Sequence, residues 1–397
     1  MLLLSNFYLT GSRRSDGAAQ HHTRIVVSTT TLDGLRRYAV SRSLFQATDL
    51  QAAIETLGFV QADPIRAPAR AQDLTLRHRV AGYTAGELER RYTELRVEEC
   101  FFVNYGFVTE ALYALMHPRG RLTAWPAGRR ARAEAIIAFI REHREAHPRD
   151  VDAHFAHGRV TNYWGGSSNA STHMLDQLHY LGLLRVTRRE AGIRVYGVRE
   201  SDAVASPLTS RDIDARLDAL LDVVVAKYAP MPEATLRSLN LRLRYAVPQW
   251  QARLPRALER ARSRLAHARV DGAAWYWPAA DAIVGDVRDE VRCLAPSDPV
   301  VWDRRRFELF WGWAYRFEAY TPVKKRQRGY YALPLLWRDR VIGWANVSVD
   351  NGAMHMEIGY ASGRRPRDRR FSQELDAERS RLEVCLDVGR TQTKRRT

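Results

Sequence analysis

The sequence predicts an α+β protein in which three tandem winged-helix motifs precede a small antiparallel β-rich domain. Helical segments are followed by basic, alternating hairpins at 184–196 and 268–277, with turn residues at Gly192 and at Asp271-Gly272. From about Asp289 onward, short alternating apolar runs are separated by turn residues, a pattern that is typical of an antiparallel sheet.

Residues 31–128 form the first predicted winged-helix-like unit. Thr31 is a suitable cap for a helix over 32–40, and Thr48 or Asp49 precedes a second helix that Gly58 would end. An extended apolar segment and a basic helix are expected next. Further short helices are predicted over 87–92 and 108–116.

The second and third units are predicted over 129–205 and 206–288. In the second, helical spacing of apolar residues predicts helices over 129–145, 151–155 and 167–184, followed by the first hairpin. A helix, a recognition-type helix and a basic hairpin in this order are typical of a winged helix. The third unit repeats the order, with helices over 213–226, 233–239 and 254–265 before the second hairpin.

The β-rich domain is predicted over 289–390. We expect a short helix over 307–313, a helix over 374–387 and strands over 315–320, 330–337, 341–349 and 355–358. Residues 1–30 lack periodicity and are expected to form a mobile extension, and residues 391–397 a basic tail.

The charge of the chain favours a polyanionic partner. Lys and Arg total 62 against 45 acidic residues, which gives a formal net charge of +17 over 397 residues. Such an excess, mostly of arginine, favours nucleic acid. The alternative is an arginine-rich surface without a nucleic-acid partner.

Cysteine usage and hydropathy predict where the protein resides. Cys100, Cys293 and Cys385 lie far apart and are expected to be buried thiols in a reducing compartment. No segment approaches the roughly 18 uninterrupted apolar residues of a membrane span, and no signal peptide is predicted. We therefore expect a cytoplasmic protein with no membrane partner. It is also expected to be a monomer and, as a DNA-binding protein, to be nucleoid-associated.

Three groups of residues are predicted to contact DNA, through phosphate or by stacking. The alternatives are a solvated hairpin and, for the last group, a surface loop leading to core aromatics. The groups are the segment after residue 63 (Arg66, Arg70, Arg77), the first hairpin (Arg185, Arg188, Arg189, Arg194) and a basic loop (Lys324, Lys325, Arg326, Arg328, Tyr330).

The step Gln61-Ala62-Asp63 is the strongest candidate for catalysis. In an extended backbone, alternate side chains share a face, and so Gln61 and Asp63 would point the same way. The carboxylate could accept a proton from a water that the amide orients. The alternative is that Asp63 caps a helix that opens at Pro64, with Gln61 exposed.

No metal or other cofactor is predicted. The chain has four histidines between 143 and 157, and two of them are spaced four apart on a predicted helix. No carboxylate or cysteine completes a metal-binding spacing, and Pro148 interrupts the run.

Two stretches resemble the YcaQ/AlkZ-like crosslink-repair DNA glycosylases. The first reads Leu-Gly-Phe-Val-Gln-Ala-Asp-Pro-Ile over 57–65 and continues to Ala69-Arg70-Ala71. The second lies within 294–343 and contains, in order, Asp298-Pro299, Trp302-Asp303-Arg304, Tyr315-Arg316-Phe317-Glu318, Lys325-Arg326, Gly329-Tyr330-Tyr331, Leu333-Pro334 and Asp339-Arg340.

The resemblance implies winged-helix motifs and a β-rich domain around a basic channel. It also implies a monofunctional, cofactor-free DNA glycosylase that releases N7-alkylated purines from duplex DNA and acts on interstrand crosslinks, with Gln61 and Asp63 as its catalytic Gln-apolar-Asp motif. Two segments depart from the family pattern. Residues 101–106 replace an aromatic-Trp-x-His-Glu-Ala segment, and Gly343-Trp344-Ala345-Asn346 replaces Gly-Arg-x-Asp.

A chemical argument supports this hypothesis. An N7-alkylated purine is positively charged and departs as a neutral base. The enzyme then has to stabilise an oxocarbenium-like sugar and to activate an attacking water. A carboxylate can do both, and Asp63 is assigned that role with Gln61 placing the water. The alternatives are a non-catalytic winged-helix DNA-binding protein or regulator, and an interaction scaffold with an arginine-rich surface.

Overall fold

The protein is a mixed assembly of helices and antiparallel strands. The computed structural model describes residues 30–156, 158–161, 167–200 and 208–388. The predicted tail over 391–397 and nearly all of the predicted N-terminal extension lie outside these ranges. No helix among the described residues is long and apolar enough to cross a membrane.

The first unit confirms the predicted helix caps. The Thr31 hydroxyl accepts the N–H of Gly34 at 3.1 Å, and the Asp49 carboxylate accepts the N–H of Ala52 at 2.8 Å. Two strands, Val97–Phe101 and Tyr105–Thr109, lie within 87–116, where only short helices were predicted. The elements are α1 (Leu32–Ser43), α2 (Leu50–Leu57), β1 (Phe59–Gln61), α3 (Ala71–Leu76), α4 (Glu87–Arg90), β2 (Val97–Phe101), β3 (Tyr105–Thr109) and α5 (Glu110–Met116).

The second unit ends in the predicted hairpin. Its turn residues Ala191 and Gly192 have φ of 51° and 86°, the left-handed backbone that a tight hairpin requires. The elements are α6 (Ala127–Glu142), β4 (Glu145–Ala146), α7 (Pro148–Phe155), β5 (Arg159–Thr161), β6 (Ser167–Asn169), α8 (Ala170–Leu181), β7 (Leu184–Glu190) and β8 (Ile193–Val198).

The third unit also confirms its hairpin, since Asp271 and Gly272 have φ of 49° and 77°. Its first helix carries a capping box in which Thr209 and Asp212 satisfy each other's backbone N–H groups. The elements are α9 (Ser210–Tyr228), β9 (Met231–Pro232), α10 (Glu233–Arg242), α11 (Leu254–Arg264), β10 (Ala266–Val270) and β11 (Ala273–Trp277).

The three units share one strand order. In each, a short strand near the start of the unit pairs antiparallel with the second strand of the hairpin. The resulting sheets are β1-β3-β2, β4-β8-β7 and β9-β11-β10. Each hairpin therefore lies at the edge of a three-stranded sheet, with its first strand outermost.

The C-terminal domain contains the predicted antiparallel sheet. Its elements are β12 (Val291–Cys293), α12 (Arg304–Trp311), β13 (Leu333–Trp337), β14 (Arg340–Asp350), β15 (Ala353–Tyr360) and α13 (Arg369–Cys385), and the strands follow the order β12-β13-β14-β15.

The predicted strand over 315–320 is wrong. These residues form an irregular segment that is fixed by side chains instead of a strand ladder. The Tyr315 hydroxyl donates to the Ala332 carbonyl at 2.7 Å. The buried carboxylate of Glu318 accepts the backbone N–H groups of residues 327–329. The alternation of aromatic and polar residues therefore reflects packing against a loop.

The apolar core crosses the boundaries between units. One cluster of buried side chains contains Leu35 and Phe59 from the first unit, Leu220 and Trp275 from the third, and Phe310 from α12. The cysteines Cys100, Cys293 and Cys385 are buried free thiols, as predicted.

Gly106 is required by the close approach of β3 to β1. A Cβ atom there would lie 2.2 Å from the Val60 carbonyl oxygen and 2.6 Å from a ring carbon of Phe59. We expect Gly106→Ala to lower the free energy of unfolding by about 1–3 kcal/mol, measured by denaturant titration.

Gly128→Ala is the matched control, because an added Cβ on α6 meets nothing within 4 Å. It should be neutral or stabilise the protein by up to about 1 kcal/mol. Equal stability of the Gly106→Ala variant and the wild type would contradict the packing argument.

Candidate active site

Strand β1 places the Gln61-Ala62-Asp63 step. Gln61 is paired with Gly106 on β3, and the Ala62 N–H donates to the Tyr105 carbonyl at 3.0 Å. The backbone is therefore extended up to this point. The alternative that Asp63 caps a helix is wrong, since α3 begins only at Ala71. The Asp63 carboxylate instead accepts the N–H of Ile65 at 2.8 Å, within a turn.

Gln61 and Asp63 both line a cavity of about 790 Å³, which we call the aromatic cavity. Six aromatic side chains line it, and five of them come from the segment 302–331 of the C-terminal domain. They are Trp302, Tyr315, Phe317, Tyr320 and Tyr331, with Tyr105 from β3 as a sixth ring. The structure thus brings the amide and the carboxylate to one largely apolar space.

A second cavity of about 480 Å³ lies on the other side of the same segment, and we call it the basic cavity. Arg66, Arg70, Arg189 and Arg194 line it, and so does Asp63. The two cavities share residues 62–64 and Tyr105. Asp63 therefore lies where an aromatic space meets a cationic one.

The electrostatic state of Asp63 reflects its partial burial. Burial raises the pKa of Asp63, and the hydrogen bond from Ile65 opposes this only in part. Burial, with a further contribution from the charge of Asp63, raises the pKa of Tyr320 and of Tyr331. The amide oxygen of Gln61 is buried and accepts no hydrogen bond from the described residues.

The buried carboxylate of Glu99 holds Arg189 and Tyr105, two residues that line the basic cavity. Glu99, on β2, is fully buried and accepts two hydrogen bonds from Arg189, at 2.7 and 2.6 Å. It also accepts the Tyr105 hydroxyl at 2.7 Å. Although burial raises it, the hydrogen bonds and charge of Arg189 bring the pKa of Glu99 below its usual value.

The hairpin arginines that were predicted to bind DNA all have carboxylate partners. The pairs are Arg185 with Glu98 at 3.1 Å, Arg188 with Glu145 at 2.8 Å, Arg189 with Glu99, and Arg194 with Asp176 at 2.8 Å. Arg185 and Arg188 are about four-tenths exposed, whereas Arg189 is only 12 % exposed. Contact with phosphate stays a prediction for this group.

The segment after Asp63 meets the tip of the β7–β8 hairpin. A Cβ at Gly192 would lie 2.6 Å from a guanidinium nitrogen of Arg66 and 2.5 Å from one of Arg70. Arg70 is paired with Glu89. Arg66 is exposed and has no carboxylate partner in the part of the chain that the structure describes.

The structure contradicts the prediction that Arg77 contacts phosphate. Its side chain is only 3 % exposed and donates to the buried carboxylate of Glu378 at 2.6 Å and to the Cys293 carbonyl at 2.7 Å. The basic run at 77–79 therefore joins the first unit to the C-terminal domain. Arg79 does so as well, through a fully buried ion pair with Asp298.

The predicted basic loop lies beside the aromatic cavity, between Tyr320 and Tyr331. Lys324 and Lys325 are exposed, and the Arg326 guanidinium lies 5.1 Å from the ring centre of Tyr330. Arg328 lies between the rings of Trp313 and Trp344, at 5.3 and 5.5 Å, and donates to the Ala314 carbonyl.

The departure from the family pattern on β14 supports this same loop. Trp344 packs against Arg328, and the Asn346 amide donates to the Arg328 carbonyl at 2.7 Å. The other departure places Asn104 and Tyr105 in the lining of the aromatic cavity.

The clustered histidines have structural roles. His147 caps α7 by accepting the N–H of Arg149 at 3.1 Å. His143 and His154 pack on the ring of Phe139, and His157 lies outside the described residues. No group of three metal-ligating side chains comes together within the described ranges.

Sequence reasoning assigned no role to Glu99, Tyr105 or Tyr320. The resemblance had already picked out residues 302, 315, 317 and 331, but only as motif positions. Their convergence on Asp63 depends on contacts between residues more than 200 positions apart, which no local spacing reveals.

Comparison with known proteins agrees with this architecture. The family model described as DNA glycosylase AlkZ-like matches residues 54–384. The fold is similar to that of the Streptomyces sahachiroi DNA glycosylase AlkZ, with a TM-score of 0.56 and 12 % sequence identity. The match covers 90 % of this chain and 96 % of that one.

The raised pKa of Asp63 predicts the sign of its effect on stability. At neutral pH the ionised carboxylate is disfavoured by burial in the folded protein, so the neutral isostere Asp63→Asn should raise the Tm slightly. The gain should shrink as the pH falls through the pKa of Asp63, because the wild-type side chain then becomes neutral as well. Thermal unfolding of both proteins between pH 7 and pH 4 measures this. A lower Tm for the variant at pH 7 would contradict it.

Proposed function

The chain belongs to the AlkZ-like DNA glycosylase family, and we propose that it hydrolyses the N-glycosidic bond of N7-alkylated purines in duplex DNA. The observation that supports this most directly is the position of Asp63. It is a half-buried carboxylate that shares a cavity with the amide of Gln61 and borders a cluster of arginines.

Asp63 acts on the sugar and on the water. As the alkylated base departs neutral, positive charge develops on the sugar, and a nearby carboxylate stabilises it. The same carboxylate takes the proton of the attacking water, a contribution that is typically about 10²- to 10⁴-fold in rate. Neither step requires a metal ion or other cofactor.

Gln61 positions that water. Its amide oxygen is buried without a hydrogen-bond partner among the described residues, an arrangement that costs free energy unless a donor reaches it. A water in the cavity can donate one hydrogen to Gln61 and the other to Asp63. The pairing of β1 with β3 keeps the amide in place while the reaction proceeds.

The reaction is hydrolytic without cleavage of the DNA strand. Lyase activity in a glycosylase uses an amine that forms a Schiff base with the sugar. No lysine is among the described residues that line the aromatic or the basic cavity.

The three helix–hairpin units are tandem winged-helix motifs that hold the duplex, with boundaries at 31–128, 129–205 and 206–288 before the β-rich domain over 289–390. Their common strand order supports this. Phosphates flanking the lesion contact Arg66, Arg70 and the hairpin arginines on one side of Asp63. On the other side they contact the basic loop of Lys324, Lys325, Arg326, Arg328 and Tyr330. The protein acts as a monomer.

Interstrand crosslinks are a substrate of the same site. A crosslinked base stays tethered to the opposite strand, so it needs a site with an opening on more than one side. Asp63 borders two separate cavities, which supports such access.

Asp63→Asn should retain affinity for duplex DNA and lose base release from an N7-methylguanine duplex by about 10²- to 10⁴-fold. The measurement is single-turnover excision, with alkaline cleavage at the resulting abasic sites. Gln61→Ala should lose less of the excision rate, since the general base, Asp63, remains. Asp286→Asn is the control, because Asp286 is exposed and lines neither of the two cavities. Undiminished excision by Asp63→Asn would remove this residue from the mechanism.

Arg66→Ala should weaken binding several-fold and equally on alkylated and unmodified duplexes. A phosphate contact releases about one counterion, so the slope of log affinity against log salt should fall by about 1. The control is Arg379→Ala, an exposed arginine on α13 that pairs with Glu383. An unchanged salt slope in Arg66→Ala would show that Arg66 contacts no phosphate.

A further inference from the structure

We propose that the aromatic cavity binds the alkylated base itself as a planar cation, and that Tyr320 is the ring on which this base stacks. The proposal rests on the proposed function and extends it, since it assigns the residues that distinguish a damaged base from a normal one.

Tyr320 has the geometry of a stacking platform. Its side chain is 79 % exposed, although it lines the cavity. Its ring contacts Phe317 only edge-on, with centroids 6.0 Å apart and planes at 75°. One face is therefore open to a ligand. An exposed aromatic ring beside a nucleic-acid site is suited to stack on a base.

The other rings of the cavity are fixed in place. Tyr331 and Tyr315 are 5 % and 3 % exposed, and the Tyr315 hydroxyl is bonded to the Ala332 carbonyl. Phe317 meets Tyr331 at 5.0 Å with nearly perpendicular planes. These contacts form a rigid aromatic wall, and Tyr320 projects from it at the solvent side.

Charge favours a cationic occupant over a neutral one. The faces of aromatic rings attract cations, and a purine alkylated at N7 carries a delocalised positive charge. Asp63 adds a negative charge at the edge of the same cavity, close enough to influence both Tyr320 and Tyr331. Arg304 also lines the cavity and is exposed, and its guanidinium is suited to the phosphate of the bound nucleotide.

The same interactions separate selection from catalysis. The positive charge is on the base before the bond breaks and moves to the sugar as it breaks. The cavity therefore selects the damaged base in the ground state, whereas Asp63 acts on the charge that develops later. Once released, the base is neutral and loses the cation–π attraction, which favours its departure.

The test uses the full chain and uncleavable duplexes. One contains 2′-fluoro-N7-methyldeoxyguanosine, and the other contains its neutral 7-deaza-7-methyl counterpart with the same shape. We expect the wild type to bind the cationic duplex roughly 2- to 30-fold more tightly, the range of cation–π attraction. Tyr320→Ala should reduce this preference, because only the other rings and Asp63 then favour the cation, and Tyr320→Phe should keep it in full because the ring remains.

Tyr245→Ala is the control variant, since Tyr245 is an exposed tyrosine of the third unit outside both cavities. In turnover assays, Tyr320→Ala should raise KM more than it lowers kcat. Equal binding of the two duplexes by the wild type, or a preference that is undiminished in Tyr320→Ala, would overturn the proposal. Because no bond breaks in the binding assay, that failure would leave the roles of Gln61 and Asp63 intact, whereas full activity of Asp63→Asn would refute those roles alone.

Discussion

The buried carboxylate of Glu99 is the contact on which the arrangement of the site depends. It accepts hydrogen bonds from Arg189 on the β7–β8 hairpin and from Tyr105 on β3, and so it joins two units at one point. The backbone of Tyr105 holds Ala62 in turn. Loss of one partner from such a buried pair typically costs about 3–5 kcal/mol, because the remaining charge is left uncompensated. The site is thus rigid on the side of the basic cavity.

The aromatic wall, on the other side of Asp63, is stabilised by a different kind of contact. Its aromatic residues all lie outside the helices and strands of the segment 302–331, so backbone ladders cannot fix them. Buried polar contacts replace them: Asp298 pairs with Arg79, and Glu318 accepts three backbone N–H groups of the basic loop. Each of these carboxylates is buried, so its hydrogen bonds are made in a medium where they are strong and specific. An irregular wall can therefore be as well defined as a strand.

Local signals in the sequence predicted most of the elements but not the long-range contacts. The caps at Thr31 and Asp49 and the turns at Gly192 and Gly272 act within a few residues, and the structure confirms them. Arg77 looked like a surface cation because its partner, Glu378, lies 301 residues away. The alternating segment 315–320 looked like a strand because alternation does not reveal whether a neighbouring strand exists. The step of Gln61 and Asp63 was visible as a local motif, whereas the aromatic wall beside it was not.

The position of Asp63 presents a conflict that the substrate can resolve. A carboxylate must be ionised to act as a general base, yet burial in the aromatic cavity raises the pKa of Asp63 and disfavours the charged form. The arginines that could offset this line the basic cavity, where Glu99 and Glu89 already pair with two of them. In the proposed complex an N7-alkylated base places a positive charge beside the carboxylate and lowers its pKa again. Undamaged DNA brings no such charge, so the damaged nucleobase itself would help to keep Asp63 in the ionised form that accepts the proton of the attacking water.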